Sequence, residues 1–385
     1  MQRRDFLGGL ASAASAAAAW PSIARSDSTA ASMPFAPRPP LARVQARPDR
    51  IVSISVCLRP FRPQGPRLAL QRLHGKAVVH SYGHGGSGWS LSWGAAQAAL
   101  PLVQATGARR LAVIGAGPIG LTTALVAQRA GLRVRLYASE LPPDNAAMGA
   151  TGAWSPDSRL IRADQLAPAF EAQWAAMSRH AFRRFQAMLG LPGAPVEWRE
   201  GYAVGDGASG GSPYPEGEPE YAELMRLVPD LRQRSQVLSP HEHPFPVAYA
   251  RRYTQLTFNL HAYAQWLMDE FLRWGGEVRQ RRFEHRRQLA GLPEPTLVNA
   301  TGYGARALFG DDTLVPVRGQ TARLVPQPEI DYGVTYLGRN VTMLPRRDGL
   351  LVQAQAEGDY GNESLVPDRA ASEAAVLRLA ELFKA

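Results

Sequence analysis

From residue 49 onward, short apolar runs alternate with amphipathic ones. RIVSISVCLRP predicts a strand, FRPQGPR a turn-rich loop and KAVVHSY, 76–82, a second strand. SYGHGGSGW, 81–89, then places four glycines in nine residues, a density that means close backbone approach or unusual φ values. SLSWGAAQAALPLVQATG predicts a helix ending at Gly107. RRLAVIGAGPIGLTTALVAQRAGLRVRLYASE reads as a βαβ unit: a strand to Ile114, a glycine turn over 115–120, a helix to about Gly131, and the strand VRLYA. Over 165–190, Phe170, Trp174, Met177, Ala181, Phe185 and Met188 recur at helical spacing, the core stripe of one long helix. Residues 196–258 hold short apolar runs between Gly/Pro clusters, as in an antiparallel lobe. LTFNLHAYAQWLMDEFLRWGG predicts a helix, GEVRQRRF a strand, and PTLVNATGYGA a buried strand entering a glycine turn. RGQTARLVP through LPRRDGLLVQAQ alternates as sheet, and ASEAAVLRLAELF closes as a helix. No internal repeat is visible.

Composition narrows the partners. At 45% hydrophobic and 20% charged, the 385 residues read as globular, with ample core. The net charge of +10 is carried almost wholly by arginine, since Lys76 and Lys384 are the only lysines. The arginines are scattered, and the densest run, RQRRFEHRR at 279–287, is broken by Phe and Glu. It reads as a solvated face, so no nucleic-acid partner is expected. The lone Cys57, in the apolar run IVSISVCL, excludes an internal disulfide or a multi-cysteine metal site and reads as a buried thiol. At the N-terminus, Arg3-Arg4, Phe6-Leu7, an Ala-rich run and SIA ending at Ala24 form a twin-arginine export signal over 1–24. This implies transient contact with the Tat machinery and a periplasmic or secreted product, without a stable membrane anchor. Residues 25–48, rich in Pro, Ala and Ser, read as a flexible linker.

The clearest chemistry lies in VIGAGPIG. Gly115, Gly117 and Gly120 permit a tight turn, close approach to a pyrophosphate, and close packing of helix on strand. Ala116, Pro118 and Ile119 complete the turn, and the helix start offers free N–H groups to phosphates. An acid is expected about twenty residues on, to bond a ribose, and Glu140 stands there after Ser139. This fingerprint alone does not separate FAD from NAD.

Seven segments together resemble the D-amino-acid oxidase family: GAGPIGLTTA, GATGAWSP (149–156), VNATGYGARAL (298–308), RGQ (318–320), LPR (344–346), RPFRPQ (59–64) and YGHGGSGWSLSWG (82–94). The resemblance covers nearly everything after the linker. It implies an α/β fold, with a Rossmann-like FAD-binding domain and a mixed or antiparallel-sheet substrate domain. The order differs, because in that family RPxRPQ and YGHGG follow the LPR-like segment, so the chain resembles a circular permutant. The expected organisation is a permuted segment over 49–107, an FAD-binding domain over 108–195 and 265–310, a substrate domain over 196–264 and 311–360, and a C-terminal helix over 361–385.

The resemblance also assigns residues. Pyrophosphate contacts fall on Ala116 to Ile119. The ribose position, an Asp in the family, is Ser139, with Glu140 beside it and able to take that role. Ala146 and Ala147 stand where hydroxyl residues usually help the phosphates. Thr151, Gly152 and Ala153 match the loop along the flavin, and Phe283 and Thr301 match backbone contacts farther along the dinucleotide. Gly85, Gly88, Trp89 and Ser90 match the loop facing the isoalloxazine ring, where donors stabilise charge on the reduced flavin. Arg346 matches the substrate-carboxylate clamp, with Arg347 the alternative. Tyr249 matches the lid tyrosine, with Tyr253 in reserve, and the Gly86 carbonyl matches the acceptor for the substrate amine. His84, flanked by glycines, reads as scaffold rather than base.

The implied reaction is hydride transfer from a D-amino acid to FAD, giving a 2-oxo acid, ammonia and, with dioxygen, hydrogen peroxide. A related enzyme acting on glycine, N-substituted or acidic amino acids is the alternative, as is a catalytically silent flavin-binding protein.

Overall fold

The fold is described by a computed structural model over residues 41–207, 214–232 and 235–384. The export signal and most of the linker lie outside the described residues. In chain order the first half contains β1 (Ile51–Phe61), β2 (Arg67–Leu73), β3 (Lys76–Tyr82), α1 (Gly88–Gln104), β4 (Arg110–Ile114), α2 (Pro118–Arg129), β5 (Arg133–Ala138) and α3 (Pro168–Gln186). There follow β6 (Val196–Gly205), β7 (Ser235–Leu238), β8 (Tyr249–Phe258), α4 (Leu260–Arg273), β9 (Glu277–Gln280) and β10 (Thr296–Asn299). The chain closes with α5 (Ala305–Phe309), β11 (Val315–Leu324), β12 (Tyr332–Tyr336), β13 (Val341–Arg346), β14 (Gly349–Ala354) and α6 (Arg369–Ala380).

Two sheets organise these elements. The six-stranded sheet runs β2-β3-β10-β4-β5-β9, parallel except for the β2–β3 hairpin. Its inner strands β3, β10 and β4 are near-continuous apolar runs because helices cover both faces. The hairpin turns on His74 and Gly75, both at positive φ (46° and 77°), the geometry that matches the twist of the flanking strands. β2 answers to no expected element: RLALQRL sits on an edge with weak alternation, and only its pairing with β3 reveals it as strand.

The eight-stranded sheet runs β1-β11-β14-β13-β12-β6-β8-β7, antiparallel but for the parallel β12–β6 pair. Its register assigns the two faces. Ala322, Leu324, Val334, Met343, Leu350 and Val352 pack against α6 and the segment around Val44 and Ala46. The opposite face of β1, β11, β14 and β13 meets the other lobe: Gly149 approaches Ser55 and Cys57, and Gly152 approaches Arg346.

Two boundaries shift against expectation. The linker ends earlier than residue 48, because Val44 and Ala46 are buried and the Tyr332 hydroxyl donates to Ala42 O at 2.5 Å. The helix expected from Leu256 begins at Leu260, because Leu256–Phe258 complete β8 and pair with Trp198 to Val196 of β6. The 49–107 segment divides between lobes: β1 joins the large sheet, while β2, β3 and α1 join the dinucleotide-type lobe.

Two histidines in this scaffold are buried and uncharged. His80 (0% exposed) bonds Gln71 Oε1 through Nε2 and Asn299 Nδ2 through Nδ1. Burial, aided by Arg67, lowers its pKa to about 4, and burial alone does the same for His84, 4% exposed. In the unfolded chain both titrate near 6.5, so between pH 6.5 and 4 the unfolded state holds more protons. Stability should therefore be complete above pH 6.5 and fall toward pH 4, by up to roughly 3 kcal/mol per histidine. Denaturant unfolding at stepped pH checks this. A midpoint unchanged from pH 7 to 4.5 would show the two rings protonated in the fold.

Candidate functional site

The glycine turn links β4 to α2. Gly115 sits at φ +112° and donates its N–H to Tyr137 O at 2.7 Å. A Cβ on Gly120 would lie 1.9 Å from Gly115 O, so this position tolerates only glycine. A Cβ on Gly117 would meet only Ala147 Cβ, at 3.9 Å, which leaves the approach to the turn open. Pro118 starts the twelve-residue α2, whose first N–H groups have no intrahelical acceptor, and a helix start of this kind suits a phosphate. Asn145 donates from Nδ2 to Ala116 O at 2.9 Å, while its buried Oδ1 has no partner among the described residues. Ser139 and Glu140 are exposed at the end of β5, and Phe283 stands nearby, edge-on to Tyr137 with ring centroids 5.9 Å apart.

The second glycine loop closes on the first. Gly85, at φ +52°, has no room for a side chain: its Cβ would fall 1.8 Å from Arg159 O. Gly86 N donates to Ser158 O at 2.9 Å, and the Ser87 hydroxyl donates to the same oxygen at 3.1 Å. Gly88 opens α1 beside Pro118, where a Cβ would be 3.7 Å from Cγ. Trp89 donates from Nε1 to Ala147 O at 2.9 Å, and Ser90 Oγ accepts from Ser155 N at 2.8 Å. Thr301 follows Ala300, whose carbonyl backs Gly115, and its hydroxyl donates to Asn299 Oδ1 at 2.7 Å. Thr151 is half-buried; Gly152 O accepts from Phe258 N at 2.7 Å, and Ala153 bridges Thr257. The structure thus brings four chain segments around one junction: 84–90, 115–120, 145–153 and 299–302.

On the sheet side, the expected substrate contacts do not assemble. Arg346 is 7% exposed and lines a cleft of about 320 Å³ with Ser55, Gly149, Thr321 and His261. Its fork is already closed: Nε donates to Asp348 Oδ1 at 2.8 Å, Nη2 to Asp348 Oδ2 at 2.5 Å, and Nη1 to Ala150 O at 3.1 Å. Burial would raise the Asp348 carboxyl, but the hydrogen bond and charge of Arg346 outweigh it and hold the group ionised, below its ordinary value. Arg346 is therefore a structural pair member with no fork left for a substrate carboxylate. Arg347 is likewise paired, with Glu197 at 3.0 Å.

Tyr249 needs correction as a lid residue. It starts β8, nine residues of extended strand from Phe258, roughly 30 Å at about 3.3 Å per residue. Phe258 is the end that meets Gly152, which touches Arg346. Tyr249 and Arg346 therefore do not hold one amino acid between them. Tyr253 lies flat on Gly201, its ring 2.7 Å from where a Cβ would stand, halfway along the strand.

The residue that sequence reasoning passed over is Arg59. It shares a face of β1 with Cys57 and Phe61, and Nη1 donates to Arg318 O at 2.7 Å. Its guanidinium lies over Gly319, with Nη2 2.6 Å from where a Cβ would be, and among the described residues no carboxylate pairs with it. Burial and then the nearby Arg159 charge lower its pKa from the usual guanidinium value. Arg159 itself is held by Glu218 at 2.7 Å, with both side chains buried. Since the Arg159 carbonyl backs Gly85, Arg59 stands between the glycine loop and the sheet. The signal for it was in RPFRPQ all along, as strand alternation that sends Arg59 inward with Phe61. His84 is buried and neutral, consistent with scaffold.

Comparison with known proteins assigns the chain to a class. The chain belongs to the DAO family of FAD dependent oxidoreductases, whose profile matches residues 110–385. It is 31% identical over 275 residues to a D-amino-acid oxidase of Streptomyces coelicolor, covering 70% of this chain and 76% of that protein. A D-amino-acid oxidase of Rubrobacter xylanophilus is 27% identical over 281 residues, covering 71% and 77%. Among solved structures, the L-proline dehydrogenase from P. horikoshii superposes with a TM-score of 0.50 at 12% identity, covering 72% of this chain and 77% of that one, a likeness of fold alone.

The residues fit FAD. The open Gly117 face, the free start of α2 and the orphaned Asn145 Oδ1 supply donors and an acceptor along one path, and Gly88 to Ser90 start a second helix beside it. Gly120→Ala should force backbone apart at 1.9 Å and abolish flavin retention. Absorbance of the purified protein, with circular dichroism as the folding control, checks this. Full flavin content in a folded variant would place the cofactor elsewhere.

Proposed function

We propose that the protein oxidatively deaminates D-amino acids, consuming dioxygen and water and yielding a 2-oxo acid, ammonia and hydrogen peroxide. The observation that carries the reading is Arg59: a half-buried guanidinium beside the glycine loop, with no paired carboxylate among the described residues, suits a substrate carboxylate. The two D-amino-acid oxidases at 31% and 27% identity support the D-enantiomer. FAD supplies the acceptor for the α-hydrogen. Arg59 binds and orients the carboxylate. The Gly86 carbonyl, in the loop pinned to Ser158, accepts from the amine. His84, neutral and buried, moves no proton, so the protein's share is orientation and electrostatics.

The paired arginines Arg3 and Arg4 before an Ala-rich run support export through the twin-arginine route. We also propose that the chain is a circular permutant of its family. The family match begins at residue 110, where β4 starts, while β1 to α1 precede it and pair into both sheets. The described ends lie together, with Val44 and Leu382 in one apolar cluster. A chain reordered to start at Ala108, with the 385 and 41 ends joined by a short linker and new termini at Gly107, should fold and bind flavin as before. An insoluble, colourless product would contradict this.

Peroxide formation across D- and L-amino acids tests the main reading. Arg59→Met should lower kcat/KM about a hundredfold, chiefly through KM, the loss of about 3 kcal/mol for a bidentate charged pair. Arg346→Lys should cost less than about tenfold. Equal turnover of L-enantiomers, or a larger loss at Arg346 than at Arg59, would contradict the proposal.

A further inference from the structure

On the inward face of the large sheet, buried Leu344 and Leu351 form one row, and the next row along the strands is polar. Gln353 of β14 stands directly across from Thr342 of β13 and Thr321 of β11, and Thr342 in turn pairs with Thr335 of β12. From β8, Gln255 leans over Gly333, its Nε2 2.9 Å from where a Cβ would be. Gln353, Thr342 and Gln255 are half-buried, and their side chains make no hydrogen bond among the described residues. Half-buried amides and hydroxyls that face solvent can exchange water for a ligand that bonds them, whereas an apolar ligand group would leave them without a partner.

Charge on this face is closed off at both ends. Arg346 and Arg323 share Asp348, at 2.5 and 3.2 Å. Arg159 is bidentate on Glu218, with Gln355 Oε1 accepting from Nη2 at 2.9 Å. Arg199 pairs with Glu197 at 2.8 Å. Arg251 lies exposed on β8 against the Tyr253 ring. That leaves Arg59, whose guanidinium rests over Gly319, two residues along β11 from Thr321 and so one strand from the Gln353 row. A substrate carboxylate on Arg59 directs the rest of the molecule over Gln353 and Thr342. Asp348 serves two arginines and Glu197 serves Arg199 and Arg347, so a second positive charge meets no unpaired carboxylate among the described residues and a second negative one meets only guanidinium forks already engaged.

We propose that the site selects amino acids with a short, uncharged, hydrogen-bonding side chain, an alcohol or a carboxamide, read by Gln353 and Thr342. The proposal rests on the deamination reading above and names its substrate class.

The test mixes flavin-loaded protein anaerobically with near-isosteric pairs, D-threonine against D-valine and D-asparagine against D-leucine, with D-aspartate and D-lysine as charged controls. The rate of loss of visible flavin absorbance is followed. The polar member of each pair should bleach the flavin at least about tenfold faster than its apolar partner and than either charged amino acid. Gln353→Leu should reduce the asparagine-to-leucine rate ratio about tenfold, and Thr342→Val the threonine-to-valine ratio, with flavin content and circular dichroism confirming the fold of each. Faster bleaching by D-valine, D-leucine, D-aspartate or D-lysine, or ratios unmoved in both variants, overturns the substrate class and leaves deamination standing. Bleaching by none of the amino acids overturns the deamination reading and the proposal with it.

Discussion

A guanidinium held half-buried, with no carboxylate paired to it among the described residues, keeps a desolvation cost that an incoming carboxylate can offset. Arg59 is in that position, and its surroundings are built around it. It can recline on β11 only because residue 319 is glycine; a Cβ there would stand 2.6 Å from Nη2. One hydrogen bond, to Arg318 O, fixes its direction and leaves the remaining N–H groups for a ligand. The forks of its neighbours are engaged: Arg159 on Glu218, Arg346 and Arg323 on a shared Asp348, with Asp359 3.9 Å from Arg318. The pairing of these arginines gives the unpaired one its specificity, because an incoming carboxylate meets a single unoccupied fork.

The two lobes meet so that this fork and the dinucleotide path share a boundary. The 145–153 segment bonds the glycine turn through Asn145 on one side and reaches the large sheet through Gly149 and Gly152 on the other. The 84–90 loop is pinned to Ser158 and Ser155, and the chain between them continues into Arg159. The 84–90 loop packs backbone to backbone, since a Cβ on Gly85 would fall 1.8 Å from Arg159 O, and the glycine turn does the same at Gly120, 1.9 Å from Gly115 O. Orientation between cofactor and carboxylate anchor thus comes from packed backbone rather than from flexible side chains, which is what a reaction driven by positioning requires.

What was legible in the sequence was local. Glycines in VIGAGPIG and SYGHGGSGW announce backbone approach through their own conformational freedom, and both lie at the junction as read. Apolar periodicity placed α1, α2, α3 and the buried strands. The misses were matters of pairing. LPR and RPFRPQ both offer an arginine beside a proline, and neither pattern reveals that Asp348, across a tight turn, closes the fork of Arg346 while Arg59 has no acid. Counting back from a helix to Tyr249 is blind to the extended course of β8, which sets Tyr249 roughly 30 Å along the strand from its Phe258 end. β2 and the packed stretch around Val44 carry too little periodicity to be seen without their partners.

The account turns on which arginine a substrate carboxylate meets. A crystal structure of the flavin-loaded protein with a small 2-oxo acid reads this directly. The account predicts the carboxylate in bidentate contact with Arg59, with Asp348 still seated on Arg346. A carboxylate on Arg346 with Asp348 displaced, and Arg59 without a ligand, would contradict it.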